Sequence, residues 1–157
     1  MPRITPNLWM DTEGLEAAEF YCAIFPNSKI NSVSRYGDTG PREAGSVLTV
    51  EFELDGQPFT IINGGPEFQF DEAVSFLIAC KDQDEVDYYW DKLTDGGEES
   101  QCGWLKDRFG LSWQVVPEEF EKIMTDSDPA RVNRAMQAMF GMKKLDLAGL
   151  RAAADGA

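Results

Sequence analysis

The amino-acid sequence shows one layout of secondary structure twice, and this doubling limits the fold more than any other feature. In each copy a strand leads into an amphipathic helix, and further strands joined by tight hairpins follow. The segments of the first copy are 4–10, 14–25, 30–36, 46–54 and 58–63. Those of the second are 73–80, 83–94, 99–102 and 111–117, with a hairpin at 107–110. The pattern predicts an α+β fold of two βαβββ modules, which form a curved, barrel-like mixed sheet around a pocket.

The two copies and the residues after them predict one domain with three parts. The first module is expected to span residues 1–66, the second 67–117, and a helical extension 118–157. The extension reads as helices at 118–125, 129–140 and 145–154. Because Leu145, Leu147 and Leu150 form an apolar stripe, we expect it to pack on the body of the domain or on a second subunit.

The net charge of the chain excludes several classes of partner. The chain carries 28 Asp and Glu against 14 Lys and Arg, a formal charge of −14, which repels phosphate backbones and anionic membranes. We therefore predict neither a nucleic-acid nor a membrane partner.

Cys22, Cys80 and Cys102 are too few and too scattered for a disulfide framework or a CxxC metal site. With no long apolar run at the start, the chain is expected to be cytoplasmic and reduced.

Histidine is absent from the sequence. Its absence excludes a Ser-His-Asp or Cys-His catalytic site and removes the commonest transition-metal ligand. The turn at Gly64, Gly65 and Pro66 lacks the lysine and the helix start that a phosphate-binding loop requires. No catalytic residue is assigned from these patterns.

Several short segments carry a resemblance to a known family. They are Trp9, 20–21, 25–28, 32–36, 51–57, 63–66 and above all the run CGWLKDRFGLSWQ at 102–114. Together they resemble the PhnB-like branch of the glyoxalase/bleomycin-resistance/dioxygenase superfamily, often labelled a 3-demethylubiquinone methyltransferase domain. The resemblance implies paired βαβββ modules and a homodimer. The sequence shows no glycine motif of an S-adenosylmethionine site, so methyltransferase chemistry is not predicted.

The resemblance also locates the metal-ligand positions of the superfamily, on the first and last strands of each module. By motif alignment these fall near Asn7, Thr60, Ser75 and Gln114. Amide and hydroxyl oxygens are poor ligands for divalent metals that prefer imidazole or carboxylate. We therefore predict a pocket without metal and without another cofactor.

Strand alternation predicts which side chains face the pocket. On the last strand these are Ser112, Gln114 and Val116, with Trp113 and Val115 turned toward the helices. Aromatic residues are expected to ring a polar floor, although Trp9 and Trp104 also fit an ordinary core. The predicted ligand-binding residues are Asn7, Trp9, Thr60, Asn63, Phe68, Phe70, Ser75, Trp104 and Gln114.

Three functions fit this lining. The leading hypothesis is a metal-free protein that binds a small, partly apolar molecule. The second is an isomerase or transferase acting on a small organic substrate, with Gln114, Ser75 and Asn63 positioning it. The third is a dimerisation module, which the polar floor disfavours. Two residues stay open: Cys102 as a reactive thiol, and Glu67, which stands where members of the resembled group commonly have His.

Overall fold

The computed structural model describes residues 2–157, in which the chain forms eight strands and five helices. It divides into two compact units, Met1–Gln69 and Phe70–Ala157. The predicted α+β class with two βαβββ modules is confirmed. The boundary between the units follows Gln69, three residues beyond the end predicted for the first module, and the C-terminal helices belong to the second unit.

The first unit is one mixed sheet with one helix. Its elements are β1 (Asn7–Met10), α1 (Gly14–Ile24), β2 (Lys29–Arg35), β3 (Val47–Leu54) and β4 (Gln57–Asn63). The strand order is β1-β4-β3-β2, with β1 parallel to β4 and the other neighbours antiparallel. The ladder starts at Asn7 rather than at Ile4 because Pro6, which has no N–H, only accepts a bond from Thr60 N at 3.0 Å. Asp55 and Gly56 both have positive φ, which confirms the type I′ turn.

The second unit repeats this sheet and adds helices. Its elements are β5 (Ser75–Cys80), α2 (Gln83–Thr94), β6 (Glu98–Glu99), β7 (Trp104–Lys106), β8 (Ser112–Pro117), α3 (Glu118–Met124), α4 (Pro129–Phe140) and α5 (Leu147–Ala154). The strand order is β5-β8-β7-β6, again with the first strand parallel to the last. The two units therefore have the same strand order, as the repeated pattern in the sequence predicts.

The predicted strand at 99–102 is wrong in position. Residues 100–103 form a turn, and the strand that pairs with β8 is β7. Cys102 and Gly103 both have positive φ, which no strand accommodates. Their amides donate to the carbonyls of Met142 and Lys143, each at 2.8 Å, and so tie the turn to the C-terminal segment.

The described strands form two separate four-stranded sheets, not the single barrel-like sheet expected from the sequence. Each sheet buries one face under its helix: in the first unit Tyr21 of α1 stacks on Phe52 of β3. Over residues 2–157, no helix is long and apolar enough to cross a membrane.

The C-terminal helices are integral to the second unit. Leu145 and Leu150 are fully buried in one cluster with Val116 of β8. Gln83, at the start of α2, accepts from Leu147 N at 2.8 Å and donates to Leu145 O at 3.0 Å, which fixes the beginning of α5. The apolar stripe seen in the sequence is therefore the contact by which the extension packs on this unit.

Candidate functional site

The open face of the second sheet carries a row of polar and aromatic side chains. Trp113 and Val115 of β8 are buried on the opposite face, the one that α2 covers, so their alternates point to the open face. There the Gln114 amide donates to Ser75 Oγ at 2.9 Å. Its register neighbours are Leu77 on one side and Trp104 on the other. Leu77 is 48% exposed, so exposed apolar surface lies beside a polar pair.

A second row lies one pleat along the same face. It runs from Ser75 through Ser112 and Lys106 to Glu98, each paired with the next in the ladder. Lys106 Nζ forms an ion pair with Glu72. The hydrogen bond from the Lys106 ammonium lowers the pKa of Glu72, and the same contact raises the pKa of Lys106.

A cavity of about 150 Å³ opens over this second row. Ser112 stands in its wall and is only 1% exposed, and among residues 2–157 its hydroxyl has no hydrogen-bond partner. Polar groups buried this deeply are almost always bonded. The residues that line the cavity are Glu72, Glu98, Glu99, Ser100, Trp104, Leu105, Lys106 and Ser112.

The first sheet presents a comparable row on its own open face. Asn7 of β1 pairs with Thr60 of β4, which pairs with Glu51 of β3, which pairs with Ser32 of β2. Two side chains of this row donate to a group in the row or beside it: Ser32 Oγ to Glu51 Oε2 at 2.9 Å, and the Asn7 amide to Thr5 O at 3.1 Å. Sequence reasoning missed Glu51, although its alternation with buried Val50 and Phe52 placed it on this face.

Trp9 packs against the turn that follows β4. Its indole N–H donates to Gly65 O at 2.9 Å, and its ring meets Phe68 edge-on with centroids 5.0 Å apart. Gly64 lies so close to the Trp9 ring that a Cβ there would collide with it. Phe68 is 65% exposed, which places an aromatic surface at the edge of the first unit. Phe70, already in the second unit, is half-buried and outside the strands.

Asn63 differs from the other predicted site residues. It shares a face of β4 with buried Phe59 and Ile61, opposite to Thr60, and is only 4% exposed. Its Oδ1 accepts from Gly14 N at 2.8 Å, and its amide donates to Thr12 O at 3.2 Å. Glu13, the N-cap of α1, makes no side-chain cap, so Asn63 caps that helix from the sheet. This geometry corresponds to a structural role.

Two further residues of the 102–114 run, Asp107 and Cys102, lie in turns that hydrogen bonds hold in place. Asp107 is 3% exposed; its Oδ1 accepts from Phe109 N and Leu111 N, and its Oδ2 from the Trp113 indole at 2.8 Å. These bonds close the hairpin between β7 and β8. Cys102 is half-buried in the turn held by the C-terminal segment. Val116, predicted to face the pocket, is instead covered by Leu145 and Leu150.

Comparison with known proteins now identifies the family. The family model described as 3-demethylubiquinone-9 3-methyltransferase matches residues 2–116. The chain belongs to this family. A solved structure described as a putative 3-demethylubiquinone-9 3-methyltransferase, PhnB protein, from Bacillus cereus is 33% identical, with a TM-score of 0.68. The alignment covers 74% of this chain and 99% of that one. Among curated proteins, none matches.

More distant structures share the fold alone. A protein from Pseudomonas aeruginosa is 18% identical with a TM-score of 0.62, over 75% of this chain and 98% of its own. The fosfomycin resistance protein FosX from Listeria monocytogenes is 16% identical with a TM-score of 0.54, over 80% of this chain and 98% of its own. The chain thus has the glyoxalase/bleomycin-resistance superfamily fold.

The side chains at the positions predicted for the superfamily's metal ligands are amides and hydroxyls that bond within the protein. Gln114 donates to Ser75, and Asn7 donates to the carbonyl of Thr5. Across residues 2–157, no group of three or more His, Cys, Asp or Glu side chains is arranged to hold a metal ion. Neutral amide and hydroxyl oxygens are weak ligands for a divalent transition metal.

The structure therefore brings some predicted residues together and keeps others apart. Ser75, Gln114 and Trp104 share the open face of the second sheet, Asn7 and Thr60 share that of the first, and Trp9 contacts Phe68. Sequence reasoning missed Lys106 and Glu72, because their ion pair joins β7 to the segment before β5 and no pattern within one strand indicates it.

Proposed function

We propose that this chain is a small-molecule-binding protein of the glyoxalase superfamily, with its ligand on the open face of the second sheet. The observation that carries the proposal is the Gln114–Ser75 pair, bonded at 2.9 Å between exposed Leu77 and half-buried Trp104. An amide and a hydroxyl beside apolar and aromatic surface are what binding of a partly apolar molecule requires. The cavity beside them adds a concave region to that surface.

Ser75, Trp104 and Gln114 are the proposed ligand contacts in the second unit. In the first unit, taken by itself, Asn7, Thr60, Trp9 and Phe68 are proposed as a separate contact surface, and Phe70 is a further proposed contact in the second unit. The aromatic members have the exposure that stacking on a ligand needs. Asn63 is left out, because its side chain caps α1 on the other face of the sheet.

A single substitution at Gln114 tests the proposal. Replacing Gln114 with Leu removes the donor to Ser75 but keeps the side chain's approximate size, so the melting temperature should change little. Ligand-observed NMR with a library of small aromatic and aliphatic fragments should identify binders of the wild type. Their affinity should fall roughly tenfold or more in the variant.

Gln137, exposed on α4, provides the matched control, since Gln137→Leu should leave both readouts unchanged. The proposal fails if no fragment binds the wild type. It also fails if Gln114→Leu unfolds the protein while the remaining folded fraction binds fragments normally, because Gln114 would then be a structural residue.

We further propose that the ligand is bound without a metal. The support is the donor set: hydroxyls and amides at Ser75, Gln114, Asn7 and Thr60, two of them bonded to each other. Elemental analysis after a brief chelator wash should find less than about one tenth of an equivalent of zinc, nickel, manganese or iron. A stoichiometric amount of any of these metals would contradict the proposal.

Group transfer is the second candidate function, because the family description names a methyltransferase. The reaction would act on a small organic substrate at the same open face. Isothermal titration with S-adenosylmethionine tests it directly: saturable binding favours the transferase, and its absence at millimolar concentration favours the binding protein.

The chain is also proposed to form a homodimer in the cytoplasm. Each sheet has unpaired edges, β1 and β2 in one and β5 and β6 in the other, and sheet edges are commonly covered by a partner strand or chain. The three cysteines are free thiols, as expected in a reducing compartment. Light scattering of the eluting protein should give twice the chain mass of 17.5 kDa.

A further inference from the structure

A hydroxyl that lacks a partner among residues 2–157 lies in the wall of the second unit's cavity. Ser112 Oγ is buried beneath the open face and, within the described part of the chain, forms no hydrogen bond. Its neighbours in the ladder are Ser75, whose Oγ already accepts from Gln114, and Lys106, whose ammonium is paired with Glu72. Neither of these side chains bonds to Ser112 in the structure. A ligand group in the cavity is a physical means of satisfying this hydroxyl.

The charge around the cavity favours a cation. On this face of the sheet, among the described lining residues, Glu72 and Glu98 supply two carboxylates against the single ammonium of Lys106. Glu72 already neutralises Lys106, so the charge of Glu98 is left uncompensated by that pair. Glu98 stands directly opposite Lys106 in the ladder, while the Glu99 carboxylate lies on the α2 side, where it accepts from the Trp90 indole at 3.0 Å. An anionic group would meet net repulsion here.

An aromatic ring completes the lining. Trp104, one pleat along β7 from Lys106, borders the cavity. Indole faces attract ammonium groups through the ring quadrupole. A volume of about 150 Å³ admits a group of a few heavy atoms, the size of an amine on a short carbon chain.

We propose that this cavity receives the protonated primary amine of a small ligand. The Ser112 hydroxyl turns toward the cavity and accepts from an N–H of the amine, the Glu98 carboxylate balances the charge, and Trp104 packs against the adjoining carbon. The inference rests on the proposed binding function and deepens it, because it names the chemical class of the ligand. A neutral alcohol of the same length would satisfy Ser112 but would gain nothing from Glu98.

Three probes of equal length test the charge preference: n-butylammonium, n-butanol and butyrate. Each is titrated into the full-length, isotope-labelled protein at pH 7 while backbone amide and indole resonances are followed. We expect n-butylammonium to shift the signals of Ser112, Lys106 and Trp104 and to bind at least about tenfold more tightly than n-butanol. Butyrate should leave them in place, and added salt should weaken the binding of the ammonium.

Two variants test the residues named. Ser112→Ala and Glu98→Gln should each weaken n-butylammonium at least about fivefold, with melting temperatures checked to show that the protein stays folded. Glu121→Gln is the matched control, since Glu121 is an exposed carboxylate on α3 outside the cavity lining. Glu98 is exposed, so its variant remains informative even if Ser112→Ala destabilises the sheet.

The outcomes separate this inference from the function on which it rests. Equal affinity for n-butanol or butyrate, or an ammonium affinity that Glu98→Gln leaves intact, overturns the amine assignment. So does the absence of any shift at Ser112 and Lys106. In each case the binding function stands if fragments still bind in a Gln114-dependent manner, and it falls only if they do not.

Discussion

The two units of this chain share one strand order but differ in the length of their strands and in the number of helices that pack with them. In the first unit β2, β3 and β4 are 7, 8 and 7 residues long, and one helix covers the sheet. In the second unit β6 and β7 are only 2 and 3 residues long, while α2 is joined by α3, α4 and α5. Short strands offer few ladder bonds and little apolar surface. The second module therefore depends on the added helices for much of its core.

The open faces differ in a second way. On the first sheet the polar side chains find partners close by, as Ser32 does with Glu51 and Ser34 with Thr49. On the second sheet, within the described residues, Ser112 is buried without a partner. Exposed polar groups that bond to one another are suited to contact with water, whereas a buried unpaired hydroxyl is suited to a ligand. This contrast is why the binding proposal centres on the second unit.

The largest expected effect comes from deleting residues 142–157. The deletion removes Leu145 and Leu150, both fully buried, and the carbonyls that hold Cys102 and Gly103. Burying each leucine stabilises by about 1.5–3 kcal/mol, so the second unit should lose on the order of 5 kcal/mol. Hydrogen exchange followed by mass spectrometry should show faster exchange in β5 and β8 than in β3 and β4.

Phe140→Ala provides the control for this deletion. Phe140 ends α4 and is largely exposed, so its removal should leave exchange in both units unchanged. If the truncated chain keeps wild-type protection in β8, the dependence of the second unit on its C-terminal helices is refuted.

The doubling made most of the fold predictable from sequence, because each module repeats one period of apolar residues. Helices such as α2 and α4 begin and end at the predicted residues. The error at 99–102 came from reading local pattern alone: the turn there is fixed by bonds to Met142 and Lys143, some forty residues away in sequence. A contact of that range leaves no periodic signal.

The candidate site was only partly predictable. Period 2 assigned Ser75, Ser112 and Gln114 to one face, and the structure agrees. The same rule placed Thr60 on the open face of β4, and Asn63, three residues on, falls on the other face to cap α1. The Lys106–Glu72 ion pair depends on how the segment before β5 crosses the sheet, which alternation within a strand does not encode.

Asn63 and Gln114 provide a direct test of the contrast between a structural and a ligand-facing amide. Asn63→Leu leaves the buried amide of Gly14 without its acceptor and removes the bond to Thr12 O. A buried unsatisfied group costs about 1–3 kcal/mol, so the free energy of unfolding of the variant, measured in urea, should be roughly 2–4 kcal/mol lower than that of the wild type. Gln114→Leu should lose less than about 1 kcal/mol. Equal losses of unfolding free energy in the two variants would show that Gln114 is as structural a residue as Asn63.

The smallest expected effect concerns two thiols, buried Cys80 in the second unit and half-buried Cys22 in the first. Burial, with the carboxylates of Glu85, Asp82 and Glu118, raises the pKa of Cys80 from 9.0 to about 12. Burial and then the charge of Glu53 raise the pKa of Cys22. The unfolded chain therefore releases the Cys80 proton near pH 9, while the folded chain keeps it. Stability should be unaffected by this group below pH 9 and should fall as the pH rises from 9 toward 12.

Urea unfolding at pH 8 and pH 10 in a reducing buffer measures this difference between the units. Since one pKa unit corresponds to about 1.4 kcal/mol, the wild type should lose roughly 1 kcal/mol more than Cys80→Ala over this interval. Other groups titrate in the same range, so the comparison is between the slopes of the two proteins rather than their absolute stabilities. Cys22→Ala, in the first unit, should change the slope less, because Cys22 is only half-buried. A Cys80→Ala slope equal to that of the wild type would show that the Cys80 thiol ionises in the folded protein as easily as in the unfolded chain.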